Sequence, residues 1–272
     1  MPIGLGAGLG IGGGRAATSS GAPSGGGDVF VNNLSSKFDG TNDYISIGAT
    51  SSLNSADEAS ISWWGKKTGS YMQVGSADAS NRGFWANWYS DNNIYFQAQD
   101  GNYSYAVASF TNDSAWHHFA VTYDGGSNEQ KIYVDGTDLS ASMGSGSVPN
   151  TLYSTTGSGF QIGTIYNSWE TQGFMDEVAL FNFTLTTANI SALRGGVSAG
   201  TLGAPVDISS LNPVGWWRCG DSAGDTNSSG GTPANTGVIG TVVNAATGSN
   251  SGGSGINATG VNGTLFSTDV PA

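Results

Sequence analysis

The stretch from Trp116 to Gly136, WHHFAVTYDGGSNEQKIYVDG, constrains the fold more than any other part of the chain. His117, Phe119, Val121 and Tyr123 alternate with His118, Ala120 and Thr122. A period of two puts the two sets on opposite faces of a half-buried strand. Asp124 to Asn128 supply turn chemistry, with Gly125 and Gly126 free to take positive φ. Lys131–Val134 reads as a second strand, closed by Asp135-Gly136. The pattern is an antiparallel hairpin with no reaction centre in it.

Composition points the same way. Charged residues make up only 10% of the 272, against about 25% in an average domain, and 44 residues are Gly. Few charges with abundant glycine describe an all-β chain with many turns. Eight Trp, ten Tyr and eleven Phe are enough to fill the core of one sandwich. The net charge of −12 disfavours nucleic acid and anionic membranes as partners, and the scattered acids read as a soluble surface. The single cysteine, Cys219, excludes an intrachain disulfide and reads as a small buried residue. No stretch approaches the ~20 apolar residues of a membrane span, so no membrane insertion is expected.

The hairpin resembles the central hairpin of laminin-G-like, concanavalin A-like jelly-roll domains. Phe38–Ile45 resembles the opening strand of that family, and Ser60–Lys66 the next major strand. Gly173–Asn182 resembles its closing strand, and Leu185–Leu193 the short helical turn that follows. The resemblance covers about residues 34–196. It implies an antiparallel jelly-roll β-sandwich and leaves function open, because this fold hosts lectins, adhesion modules, scaffolds and glycosidases.

Three regions are expected: residues 1–29 as a glycine-rich N-terminal anchor, 30–196 as the sandwich, and 197–272 as a Gly/Ser/Asn-rich extension with short strands. The first lacks the basic start and unbroken apolar run of an export signal, since Arg15 follows the apolar part. Ile3, Leu5, Leu9 and Ile11 are its only side chains able to dock on an assembly. In the extension, Pro213–Asp221, read as a short strand and turn, occurs together with a terminal strand at Leu265–Pro271. That pairing and the glycine-rich start resemble laminin-G-like proteins of tailed bacteriophages.

Three kinds of site are weighed. Glycosidases of this fold need two carboxylates facing the scissile bond. The chain has Glu58, Glu129, Glu170 and Glu177, none in a same-face pair, and alternation sends Asp176 and Glu177 to opposite faces. His117 and His118 read as one packed and one exposed, neither a ligand. The family resemblance implies a structural calcium at Asp39, Gly40, Asp43 and Asp176; the alternative is that Asp39 and Asp43 make turn hydrogen bonds. Arg82–Gln99, dense in aromatics and amides, offers a carbohydrate-binding face of Trp85, Asn87, Tyr89, Tyr95 and Gln97. Tyr103, Tyr105, Tyr166 and Trp169 add to it. The alternative is that these aromatics pack into the sandwich, a neighbouring subunit or the extension.

Together these readings give a non-catalytic virion structural protein of a phage: a fibre, decoration or tail appendage. It has a lectin-like face for host carbohydrate, and its partners are other virion proteins, copies of itself and cell-surface glycan. The alternative is a free bacterial surface or secreted adhesion module.

Overall fold

The computed structural model describes residues 30–77, 83–100, 104–153, 159–165, 168–246 and 257–272. The expected anchor, residues 1–29, lies outside them, as do Arg82, Tyr103 and Tyr166. The described strands, numbered in chain order, form two antiparallel sheets. The first runs β10 (Thr137–Asp138), β9 (Glu129–Val134), β8 (His117–Asp124), β3 (Glu58–Lys67), β13 (Gln172–Phe181), β1 (Ser35–Asp39) and β18 (Leu265–Ser267). β14 (Gly215–Trp217) also pairs with β13. The second runs β11 (Ser142–Ser145), β7 (Tyr105–Ser109), β6 (Asn93–Ala98), β5 (Gly83–Trp88), β4 (Met72–Ala77), β12 (Phe160–Ile162), β2 (Tyr44–Gly48), β17 (Ala258–Val261), β16 (Ile239–Val242) and β15 (Thr226–Asn227). They pack as the jelly-roll sandwich that the sequence predicts.

Alternation builds the core. Ile61 and Trp63 of β3, Phe119, Val121 and Tyr123 of β8, and Met175, Val178 and Leu180 of β13 meet Ile45, Val74, Phe84, Trp88, Ile94 and Phe96 from the opposite sheet. Trp63 stacks on Phe119 with centroids 5.1 Å apart, and Phe160 of β12 stacks on Trp217 of β14 at 5.7 Å across the sandwich. The central hairpin forms as read, but its second face is not open. Ala120, Ala179 and Phe181 are roofed by Leu185, Ile190 and Leu193 around α1 (Thr187–Ala192), with Ile208 and Trp216 beside them. His118 is buried under this roof, with Nε2 2.9 Å from Ser62 Oγ. His117 is half-buried between Asp135, at 2.7 Å, and Asp113, at 3.1 Å.

Two sequence readings change. The expected opening strand divides: β1 ends at Asp39, Gly40 turns at φ 86, and β2 begins in the other sheet. The boundary at 196/197 is one of sequence rather than packing. β14 extends beside β13, β17 pairs with β2 and β18 pairs with β1, so residues 197–272 complete both sheets.

β1 pairs with the first half of β13 and β14 with the second half. Between them β13 bulges, with Asp176 opposite Trp64 and Ala179 opposite Ser62. Glu177 sits at φ 48, and Met175 and Val178 both face the core. The alternation assumed for Asp176 and Glu177 therefore fails, because a bulge places an extra residue between two inward positions. Both carboxylates are buried. Glu177 accepts from Trp216 Nε1 at 2.5 Å and Arg218 Nε at 3.1 Å. The Arg218 guanidinium lies against the rings of both Phe30 and Trp216, at 4.2 and 5.3 Å from their centroids. Nearby, Asp221 Oδ2 accepts from Asn33 and Leu34, and Asp225 accepts from Gly220, Ser222 and Val243.

This seam sets a pH dependence. Burial pushes the Glu177 carboxyl up to about 7, against the pull of Arg218 and Trp216, and pushes Asp176 well above the carboxylate range. Against the cost of burial, Asp135 and Asp113 hold the His117 imidazole above its ordinary value. Each group binds its proton more tightly in the folded chain, so each contributes stability that is lost as pH rises through its folded pKa. His118, lowered to about 3 by burial, opposes this only below its unfolded value of 6.5. The melting temperature is therefore expected to fall between pH 6.5 and pH 8, and Glu177→Gln to flatten that slope. A melting temperature that is level or rising across this window contradicts the assignment; differential scanning calorimetry reads it.

Candidate carbohydrate-binding face

The outer face of the second sheet carries the candidate site. Antiparallel register aligns Gln73, Asn87, Tyr95 and Val107 in one row across β4, β5, β6 and β7, with Gly75, Trp85 and Gln97 in the next. Phe84, Ala86, Trp88, Ile94, Phe96 and Ala98 point inward. The period of two thus assigns the two faces of β5 and β6 as the sequence does.

Exposure differs from the sequence expectation. Trp85, Asn87 and Gln97 face away from the core yet are 4%, 2% and 4% exposed. Trp85 packs against Ile165. Gln73, itself 0% exposed, donates from Nε2 to the carbonyls of Ser168, at 3.0 Å, and Trp169. The segment leading to β13 therefore covers this end of the face. Gly75, at φ 140, lies opposite Trp85, and a Cβ there would overlap the Trp85 backbone. This glycine is what lets the two strands close beneath the indole.

The open part is a row of rings. Tyr71 meets Tyr89 at 4.8 Å, Tyr89 meets Tyr95 at 5.8 Å, and Tyr95 meets Tyr105 at 5.5 Å. Trp169, 43% exposed and at φ 56, stands 6.0 Å from Tyr89. The Tyr95 hydroxyl donates to Asp91 Oδ2 at 2.7 Å, and that bond, followed by burial, pushes the phenol up to about 12. Lys67 fixes the row from behind, its Nζ donating to the Tyr89 carbonyl at 2.6 Å above the Trp88 ring. Tyr71, Gln73, Asp91 and Lys67 were not singled out from sequence. Gln73 belongs to the alternating run of β4, which carries the same signal as β5, and Tyr71 stands immediately before that strand.

The calcium positions are not brought together. Asp39 Oδ1 accepts from Thr41 N at 2.8 Å, and Asp43 Oδ2 from Asp39 N at 3.2 Å, so both close the turn after β1. Burial, ahead of the neighbouring Asp39, raises the Asp43 carboxyl. Asp39 pairs with Gln172, so Asp176 lies four residues along β13, roughly 13 Å away. Asp39, Gly40, Asp43 and Asp176 thus do not fit one shared calcium ion. Among the described residues no group of three or more His, Cys, Asp or Glu is placed to hold a metal. Cys219 is fully buried, and burial drives its thiol upward.

Comparison with known structures gives the same architecture. A putative carbohydrate-binding protein from Bacteroides ovatus aligns with a TM-score of 0.59 at 18% identity, over 89% of this chain and 62% of its own length. A heptameric pentraxin from Limulus polyphemus aligns at 0.46 and 15% identity, over 61% of this chain and 83% of its own. Tailspike protein 2 of bacteriophage CBA120 aligns at 0.44 and 13% identity, over 73% and 35%. The likeness to the Bacteroides ovatus protein, at 18% identity, is one of fold. No curated protein matches the sequence. The laminin-G family model, described as the concanavalin A-like lectin/glucanases superfamily, matches residues 39–191, more than half of the chain. The chain belongs to that superfamily, as a laminin-G-type member.

Proposed function

We propose that this chain is a non-catalytic carbohydrate-binding module, and that the open rings of Tyr71, Tyr89, Tyr95 and Trp169 on the outer sheet face are its sugar platform. The observation that carries the reading is this row of adjoining rings, with Asp91 at its margin. Aromatic faces take the C–H surface of sugar rings, and carboxylates and amides take the hydroxyls. A binding role also suits the buried carboxylates. Glu177 is occupied by Arg218 and Trp216, and Asp176 lies in the same closed seam, so neither faces a substrate.

The setting we assign is a phage particle, with the chain as a fibre, decoration or tail appendage protein that presents its sugar face to the host. This part rests on the sequence resemblance of the Pro213–Asp221 and Leu265–Pro271 strands and of the glycine-rich start. The competing assignment is a bacterial surface or secreted adhesion module. It rests on the same face and differs only in what carries it.

Tyr89→Ala is expected to weaken binding on a glycan array by about 1 kcal/mol, roughly fivefold in Kd, with unchanged melting. Trp85→Ala removes a covered indole instead, and is expected to cost roughly 3–5 kcal/mol of stability. Full binding by Tyr89→Ala and Trp169→Ala together would remove the platform from the reading. The intact chain is expected to release no reducing ends from β-glucans; release that disappears with Asp176→Asn or Glu177→Gln would make it an enzyme. Deleting residues 2–27 is expected to abolish incorporation into purified particles. Incorporation at the full level would leave the surface module as the better assignment.

A further inference from the structure

Beyond Trp169 the second sheet carries an open cavity. β4, β12, β2 and β17 lie side by side, and the same end of each comes together: Tyr71 stands before β4, Thr164 follows β12, Tyr44 opens β2 and Asn262 follows β17. Ile45 and Ile47 face the core, so alternation turns Tyr44 to the outer face that bears the rings. Two strand steps, about 10 Å, separate Tyr71 from Tyr44. The cavity measures about 230 Å³ and is lined, among the described residues, by Asn42, Tyr44, Thr164, Glu170 and Asn262. Asn42 and Asn262 are exposed, Tyr44 and Glu170 half-buried and Thr164 buried, which gives it a floor and an open mouth. Glu170 follows Trp169 in the chain and so joins the cavity to the rings. Local chemistry builds the walls. Asn262 and Gly263, at φ 58 and 98, take the two left-handed positions of a tight turn, closed by Thr264 N on the Val261 carbonyl at 3.4 Å. Asn262 Nδ2 donates to the Asn42 carbonyl and Thr264 Oγ1 to the Tyr44 carbonyl, both at 3.0 Å, which ties this turn to the one after β1. Opposite, Thr171 N donates to the Gly163 carbonyl at 2.7 Å and closes the loop that carries Trp169 and Glu170.

We infer that this cavity is a subsite for a single amino-sugar unit at the end of the ring platform, a role that rests on the sugar-binding face proposed above. Its volume lies below the roughly 300–1,000 Å³ of larger small-molecule sites, so it suits one ring rather than a chain. Its lining is polar and unlike the platform. Sugar hydroxyls both donate and accept, and so match the Tyr44 phenol and the Asn42 and Asn262 amides. Glu170 sets the preference. Its carboxylate accepts only, and no basic side chain stands among the described lining residues to neutralise it. The substituent that it favours is a pure donor with positive charge, which is the ammonium of a hexosamine. A sugar hydroxyl satisfies Glu170 without the charge. A sugar carboxylate meets it as a like charge. Amino, neutral and acidic sugars are therefore ranked in that order.

NMR titration of the full chain with glucosamine, glucose and glucuronate, and with the same three forms of galactose, tests the subsite. The side-chain amide signals of Asn42 and Asn262 report the cavity, and the Trp169 indole N–H reports the platform. At least one amino sugar is expected to move the two amide signals, with an affinity roughly threefold to fivefold above its neutral parent and the uronate weakest. Glu170→Gln is expected to close the gap between amino and neutral forms and to leave the neutral affinity as it was. Amide signals that stay still throughout, a uronate that binds as well as the amino sugar, or a gap that survives Glu170→Gln overturns the subsite. Ethanolamine, an ammonium without a ring, is expected to leave the signals in place; equal binding by it would also overturn the subsite. If the Trp169 signal alone moves, the platform stands and only the subsite falls. If neither reporter moves with any sugar, both fall.

Discussion

The bulge at Asp176 and Glu177 is the constraint around which the rest of the sandwich is arranged. β13 is too long for one partner on that side, so β1 takes its first half and β14 its second. A bulge is the backbone's way of changing partner without reversing which side chains face the core. The break leaves buried carboxylates, and the sequence answers with Arg218, set against the rings of Phe30 and Trp216 and hooked to Glu177. Truncating one member of such a buried pair strands the other charge, so the seam holds only as a unit.

That seam also explains how a domain with so few charges manages a long C-terminal stretch poor in large side chains. Asp221 and Asp225 spend their oxygens on backbone N–H groups from three separate segments. Carboxylates used in this way replace the packing that Gly, Ser and Thr cannot provide. Trp217, stacked on Phe160, supplies the apolar share of the joint.

Much of this was legible in the chain. Period-two alternation gave the inward set Phe119, Val121 and Tyr123, and it put Trp85, Asn87, Tyr89, Tyr95 and Gln97 on the face away from the core, as found. What alternation cannot report is whether an outward face is roofed. The covers over Ala120 and Trp85 come from Ile190 and Ile165, remote in sequence, and such contacts leave no local pattern. The bulge was hidden for a related reason, because it depends on where one neighbouring strand stops and another starts. The division of Phe38–Ile45 into two strands turns on Gly40 alone, which a motif resemblance passes over.

The pairing of β1 with β18 bears on how the molecule comes into being. Ser35 lies beside Ser267, and the Asn32 amide donates to the Pro271 carbonyl across 239 positions of chain. A ribosome delivers β1 among the first strands and its neighbour among the last. Until then the Phe38 side of the sandwich has no Phe266 against it, and an unpaired strand edge is open to other chains. Contacts this distant in sequence also slow folding, because loop closure must precede the gain in packing. Vectorial synthesis therefore holds one sheet edge unfinished until all the chain between β1 and β18 has been made, a period in which a chaperone or a copy already assembled would find its natural point of attachment.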